Sequence, residues 1–176
     1  MSLAITIKTK PTTRLTSISF NKLSLVEIPL VLSIEERNSN HPWTQLQFTT
    51  CIENTNNLCY RLSLKSNTIG YLIAMLAPDS ADILNIGIDP NFQRKGHGTA
   101  LLEHLIEELR KRYIDEILLE VRVGNKSAIQ FYKKQGFEEI SVRNNYYMKN
   151  SNDRSQREDG IIMRIEIPKF KNNNAL

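Results

Sequence analysis

Between Asp89 and Leu109 the chain reads DPNFQRKGHGTALLEHLIEEL: a proline turn, two cations and two glycines, then an amphipathic run. Leu101, Leu102, Leu105, Ile106 and Leu109 recur at helical spacing and predict a helix over 99–112. The apolar stretch 83–88 stops at Asp89-Pro90 and predicts a strand. A strand, a glycine-rich loop and a helix in direct succession leave little conformational freedom. The first-turn N–H groups of the helix lack backbone acceptors and lie at the positive end of its dipole. Gly96 and Gly98 let backbone approach a ligand, so that consecutive N–H groups form an anion nest. Phosphate or pyrophosphate is the guest this favours, and a ligand-free glycine-rich connection is the plainer alternative. The letters match neither G-x-x-x-x-G-K-[ST] nor G-x-G-x-x-G, which disfavours a nucleotide triphosphatase.

The rest of the chain arranges itself around this unit. Residues 27–37 predict a helix with Pro29 in its first turn, and Thr44 is a candidate N-cap for a second, short helix. Stretches 58–64 and 69–77 predict a hairpin around KSNT. In 117–123, Ile117, Leu119, Val121 and Val123 alternate with Leu118, Glu120 and Arg122, the pattern of a strand. Asn125 is placed to cap a helix that runs to Gln135 and stops at Gly136. Strands are expected over 137–143 and 161–167, and the polar NNYYMKNSNDRSQRED between them is expected to be a loop. Glu107–Lys111 and Glu108–Arg112 are expected i,i+4 pairs. The order of elements implies an α/β or α+β fold, a single sheet with helices on both faces. Residues 1–22 are expected to be an extension or edge strand, 23–170 one domain and 171–176 a polar tail.

Composition narrows the class. A chain of 176 residues with 40% hydrophobic and 24% charged residues fits one soluble globular domain. It has no apolar run of membrane-spanning length, and its N-terminus lacks the apolar core of a signal peptide, so a cytoplasmic protein with no membrane partner is expected. Cys51 and Cys59 form no metal pattern and are expected to be reduced and structural. A net charge of +4, scattered rather than blocked, suits an anionic ligand without calling for nucleic acid. No metal site is expected.

Gln93-x-x-Gly96-x-Gly98, after NIGIDPNF and before an amphipathic helix, resembles the acetyl-CoA motif of the GNAT-type N-acetyltransferases. ILLEVRVGNKSAIQFYKKQGFE is similar to the second motif of that family. HPWTQLQF, LNIGIDPNFQRKGHG, LLEVRVGNKSAIQFY and RNNYY…EDGIIM extend the resemblance to members that acetylate the N-terminal alanine of a small-subunit ribosomal protein. It runs from about Glu27 to Ile167; the N-terminal segment and MKNSNDRSQR depart from it.

The resemblance implies a mixed, mostly antiparallel sheet with a splayed central strand pair. It implies acetyl-CoA as co-substrate, no metal, and direct attack by an amine in a ternary complex. Ile86, Gly87 and Ile88 would line the acetyl end, and Gly87 within a strand independently points to a bulge or a close backbone approach. Backbone N–H groups from Arg94 through Lys95, Gly96, His97, Gly98 and Thr99 would hold the pyrophosphate. Arg94 and Lys95 read equally as solvated cations, and His97 reads as an exposed loop residue. Asn125 would reach the CoA arm as well as cap its helix.

Glu120 is the one acid in an apolar strand, which makes it either a salt-bridged edge residue or, as the resemblance implies, the general base. Tyr132 is either packing beside Phe131 or, as the resemblance implies, the acid that protonates the leaving thiolate. Tyr146 and Tyr147 would lie on the peptide rim; so would Trp43, whose simpler role is a core anchor after Pro42. Acceptors other than an N-terminal alanine, namely another N-terminus or a small amine, and a non-catalytic acetyl-CoA-binding module are the alternatives. A monomer or weak dimer is expected.

Overall fold

The structure is a computed structural model that describes residues 18–150 and 153–168. Most of the N-terminal extension (1–17) and the polar tail 171–176 lie outside the described residues. Along the chain, β1 (Ile18–Lys22) is followed by α1 (Ile28–Asn38), α2 (Gln45–Glu53), β2 (Asn57–Leu64), β3 (Asn67–Leu76) and β4 (Ser80–Ile88). Then come α3 (His97–Arg110), β5 (Glu116–Arg122), α4 (Lys126–Lys134), β6 (Glu138–Asn150) and β7 (Asp153–Glu166). The described strands form one sheet in the order β1-β2-β3-β4-β5-β7-β6. Neighbours run antiparallel except β4 and β5, which are parallel.

Each helix sits where its sequence can hold it. Pro29 occupies the first turn of α1, where its missing N–H costs nothing. Thr44 caps α2 through a box in which Gln47 N donates to Thr44 Oγ1 (3.4 Å) and Thr44 N donates to Gln47 Oε1 (2.8 Å). The apolar stripe of α3, with Leu101, Leu102, Leu105 and Leu109 buried, packs with α4 on one face of the sheet. On the other face Val31 and Ile34 of α1 and Phe48 of α2 pack on Tyr71 and Ile73 of β3.

Several expectations are corrected. The helix expected over 99–112 starts at His97, because Gly96 adopts a left-handed conformation (φ +86°) and serves as its N-cap. It ends at Arg110, so Lys111 swings back to pair with Glu108 (2.6 Å) rather than Glu107, and Arg112 joins the same carboxylate at 2.9 Å. The hydrogen bond from Lys111 leads in holding Glu108 down at about 2. The described parts of the polar stretch 144–159, residues 144–150 and 153–159, are strand and not loop: β6 and β7 continue through them as a long two-stranded ribbon, with Tyr147 opposite Glu158 and Met148 opposite Arg157. The ribbon extends past the core, so neither face needs an apolar alternation. Cross-strand polar and cation–π contacts hold it instead, with the Arg122 guanidinium 4.2 Å above the Tyr147 ring and paired to Glu158 at 2.8 Å.

Among the described residues no helix is long and apolar enough to cross a membrane, and no group of His, Cys, Asp and Glu is placed to hold a metal ion. Cys51 and Cys59 are both free thiols; burial pushes Cys59 up to about 12, with Cys51 adding to the effect.

Candidate active site

The central feature is a gap in the sheet. The ladder between β4 and β5 has only four pairs and ends at Ile83 opposite Leu119. On the other side of β4, Ile73 pairs with Asn85 and Ala74 with Ile83, so Leu84 is an unopposed bulge residue. The bulge bends β4 away from β5 at the point where their pairing stops. From there to Ile88 the β5-facing edge of β4 has no strand partner, so Ile86, Gly87 and Ile88 offer backbone groups to whatever enters the slot.

Gly87 itself is not the bulge. A Cβ there would meet Tyr71 Cε1 at 2.7 Å and the Tyr71 hydroxyl at 2.8 Å. That hydroxyl donates to the buried Glu35 carboxylate, which also accepts from Trp43 N at 3.0 Å. The ring cannot swing away without depriving a buried carboxylate of a donor. Gly87→Ala is therefore expected to destabilise the fold by about 1–3 kcal/mol in a urea titration, the usual cost of overpacking. An unchanged midpoint would show that Tyr71 yields freely.

The loop after β4 is braced from below. Gln93 Nε2 donates to Ile88 O (3.0 Å) and Asn38 Oδ1 (2.8 Å), and Arg37 pairs with Asp89 at 3.0 Å. Left-handed Arg94 (φ 57°) and Gly96 then turn the chain into α3, where Gly98 and Thr99 lie half-buried in the first turn. The side chain of Lys95 donates to Asn91 O at 2.9 Å, while Arg94 is exposed. His97 corrects the sequence reading: it is buried, not an exposed loop residue, because the helix begins there and turns its ring inward toward Phe92. Burial, with Lys95 adding to it, lowers its pKa, and Nδ1 has no hydrogen-bond partner. Gly98 packs on the Phe131 ring, which seats the α3 N-terminus beside α4. Asn125 caps α4 by accepting from Ala128 N at 3.1 Å.

Glu120 and Tyr132 stand on opposite faces of the sheet. Ile117, Leu119 and Val121 point into the core with α3 and α4, so Glu120 points the other way, while Tyr132 belongs to that core. Only through the gap can both act on one reaction centre. Tyr132 lies between Phe131 (5.2 Å) and Phe137 (5.4 Å), and burial pushes its phenol well above the ordinary range. Glu120 accepts from Arg143 Nη1 at 2.8 Å. Burial first, then the interaction of its hydroxyl with Glu120, raises the Tyr147 phenol.

On the Glu120 face a cavity of about 480 Å³ is lined by His41, Arg122, Tyr146, Tyr147, Met148 and Arg157. The structure thus brings Tyr146 and Tyr147 to this cavity, with Tyr147 beside Glu120. Trp43 instead packs edge-on against Phe48 (5.5 Å) as an anchor of the α1–α2 core. His41, Arg122, Arg143 and Arg157 escaped sequence reading. Arg122 was discoverable, since it lies two residues beyond Glu120 on the same strand face; Arg143 and Arg157 depend on the ribbon pairing.

Comparison with known proteins places this geometry. The sequence profile of the Acetyltransferase (GNAT) family matches residues 25–137. The [ribosomal protein bS18]-alanine N-acetyltransferase of Escherichia coli strain K12 is 36% identical over 149 residues, 85% of this chain and 97% of that protein. The crystal structure of the ribosomal-protein-S18-alanine N-acetyltransferase from Escherichia coli matches with a TM-score of 0.78 at 34% identity, covering 91% of this chain and all (100%) of that one. Arabidopsis thaliana NAA60 in complex with acetyl-CoA shares the fold, with a TM-score of 0.74 at 15% identity over 86% of this chain and 99% of that one.

Proposed function

This chain belongs to the GNAT acetyltransferase family, and from that membership we propose that it transfers acetyl from acetyl-CoA to the α-amine of an N-terminal alanine, that of a small-subunit ribosomal protein. The gap between β4 and β5, with Glu120 on one face and Tyr132 on the other, is the observation that carries the reaction type. The likeness to the bS18-alanine enzyme over 97% of its length supports the acceptor. The reading sets the reaction in the cytoplasm, in a catalytic domain over 23–170.

Each residue then has a task. The unpaired N–H groups of Arg94 to Thr99 bind the pyrophosphate at the positive end of α3, and exposed Arg94 adds charge. Lys95 is committed to the loop carbonyl of Asn91 and works chiefly as a brace. Asn125 uses its oxygen as a helix cap, leaving its amide N–H groups for the CoA arm. Backbone N–H at Ile86–Ile88 polarises the acetyl carbonyl where β4 has no strand partner. An α-amine has a free pKa of about 8 and must lose a proton before it attacks. Glu120 takes that proton, directly or through a water. The amine nitrogen bonds to the thioester carbon, the C–S bond breaks, and the departing thiolate takes a proton from Tyr132; the second proton that the nitrogen sheds as it becomes an amide passes through solvent to restore the phenol, and Glu120 returns its own proton to solvent. Tyr146, Tyr147 and the cavity beside them receive the acceptor chain.

The test is a transfer assay with acetyl-CoA and a hexapeptide that begins with alanine, run beside the same peptide blocked at its α-amine. Thiol release is expected with the free peptide only. Release with both peptides, or with neither while CoA binds, would remove the N-terminal α-amine as the acceptor.

A further inference from the structure

The Glu120 carboxylate is held by its neighbours. Arg143 Nη1 bonds to Oε2 at 2.8 Å, and Oε1 lies so close to Gly160 that a Cβ there would stand 3.2 Å away, with the edge of the Tyr147 ring 3.1 Å from the same point. Arg143 is held in turn, its guanidinium carbon 3.6 Å from the centroid of the Tyr146 ring. It lies on the edge strand β6 with a side chain 47% exposed, so the ladder places no demand for arginine there. The chain nevertheless builds an irregularity next to it. Arg143 opposes Gly160 and Tyr147 opposes Glu158, so extra residues of β6 bulge out between them. Asn145 adopts φ 53° in this bulge, and its N–H donates to Asp159 Oδ1 at 2.8 Å. The bulge sets Tyr146 under Arg143 and aims Tyr147 at Glu120.

The other charged groups around Glu120 have other partners. Arg122, two residues along β5, bonds Glu158 of β7 at 2.8 Å and the Met148 carbonyl at 3.0 Å. Arg157 of β7 donates to the carbonyls of Asn145 and Tyr146, both at 3.3 Å. His41, from the α1–α2 connection, faces the same cavity. Arg143 is thus the cation that the fold assigns to Glu120.

We propose that Arg143 is a positioning residue for acetyl transfer: clamped on the Tyr146 ring, its guanidinium fixes the Glu120 carboxylate in one orientation beside the slot. This rests on the reading of Glu120 as the proton acceptor. A carboxylate tied at one oxygen by a charge-assisted hydrogen bond leaves its other lone pairs aimed in a fixed direction, which is what a proton acceptor beside a reacting amine needs. When the amine gives up its proton, Glu120 becomes neutral and its charge pairing with Arg143 is lost. The tyrosine clamp then retains the cation beside it for the next cycle.

The experiment compares kcat and KM for acetyl transfer in wild type, Arg143→Gln, Arg143→Lys, Glu120→Gln and the double variant of Arg143→Gln with Glu120→Gln. Arg143→Gln is expected to lower kcat by about 10–100-fold with KM for acetyl-CoA unchanged, the scale of a misplaced catalytic group. Arg143→Lys should restore part of the rate, since lysine keeps the charge while losing the planar stack on Tyr146. In the Glu120→Gln background the loss of Arg143 should add nothing further, because its effect runs through that carboxylate. A wild-type kcat in Arg143→Gln, or a loss that persists undiminished in the Glu120→Gln background, overturns the proposal. Turnover of Glu120→Gln separates the two readings: a crippled enzyme beside an unimpaired Arg143→Gln sinks the role of Arg143 alone, while an unimpaired Glu120→Gln removes Glu120 as base and the proposal with it.

Discussion

Glu120→Gln is expected to lower turnover at neutral pH by about 10²–10⁴-fold, the range of a lost general base, while CoA affinity is unchanged. The glutamine side chain has the same shape, so the wall of the slot is preserved. Arg143 loses its carboxylate, but at 47% exposure it turns to water at small cost. What the amide cannot do is take a proton from an ammonium. Because α3 packs on the sheet face opposite the one to which Glu120 points, cofactor binding does not sense the change. Steady-state rates beside CoA titrations check both halves. Wild-type turnover in the variant would return Glu120 to the ranks of salt-bridged strand residues.

Gly96→Val is expected to weaken CoA binding by about 10–100-fold, equivalent to the 1–3 kcal/mol of a strained backbone at a functional loop. Gly96 caps α3 at φ +86°, a conformation that a β-branched residue adopts only with strain. The protein offers no obstacle of its own, since no atom lies within 4 Å of a Cβ at that position. The loop therefore shifts, or the valine projects into the anion site. Gly96→Asn tells these apart, because asparagine tolerates the left-handed region. If strain dominates, the asparagine variant binds CoA nearly as wild type does. If the two variants lose equally, the side chain itself stands where the pyrophosphate belongs. Wild-type affinity in Gly96→Val would remove the loop from the binding site.

Local signals carried much of the architecture. The leucines of α3, the caps Thr44 and Asn125, and the alternation that turns Glu120 away from Leu119 and Val121 all follow from periodicity and capping chemistry. The ribbon did not, because strands that extend beyond a core bury neither face and lose the period-2 signature. Helix α3 starts two residues early for a backbone reason, the left-handed Gly96, and that alone moves His97 from surface to interior. The Glu35–Tyr71 bond and the Arg143–Glu120 pair join residues 36 and 23 positions apart, and no local pattern announces such partners. The slot itself was expected only through family resemblance; the bulge at Leu84 that begins it leaves no mark on the letters.

The interrupted ladder between β4 and β5 has a thermodynamic side. A sheet joined across its middle by four residue pairs carries backbone groups that other sheets satisfy among their own strands. A co-substrate that binds the folded chain and not the unfolded one adds RT ln(1 + [L]/Kd) to stability, about 2.7 kcal/mol at a hundredfold excess over Kd. The melting temperature of this enzyme therefore tracks acetyl-CoA supply, and a cell short of acetyl-CoA holds not only an idle enzyme but a less durable one.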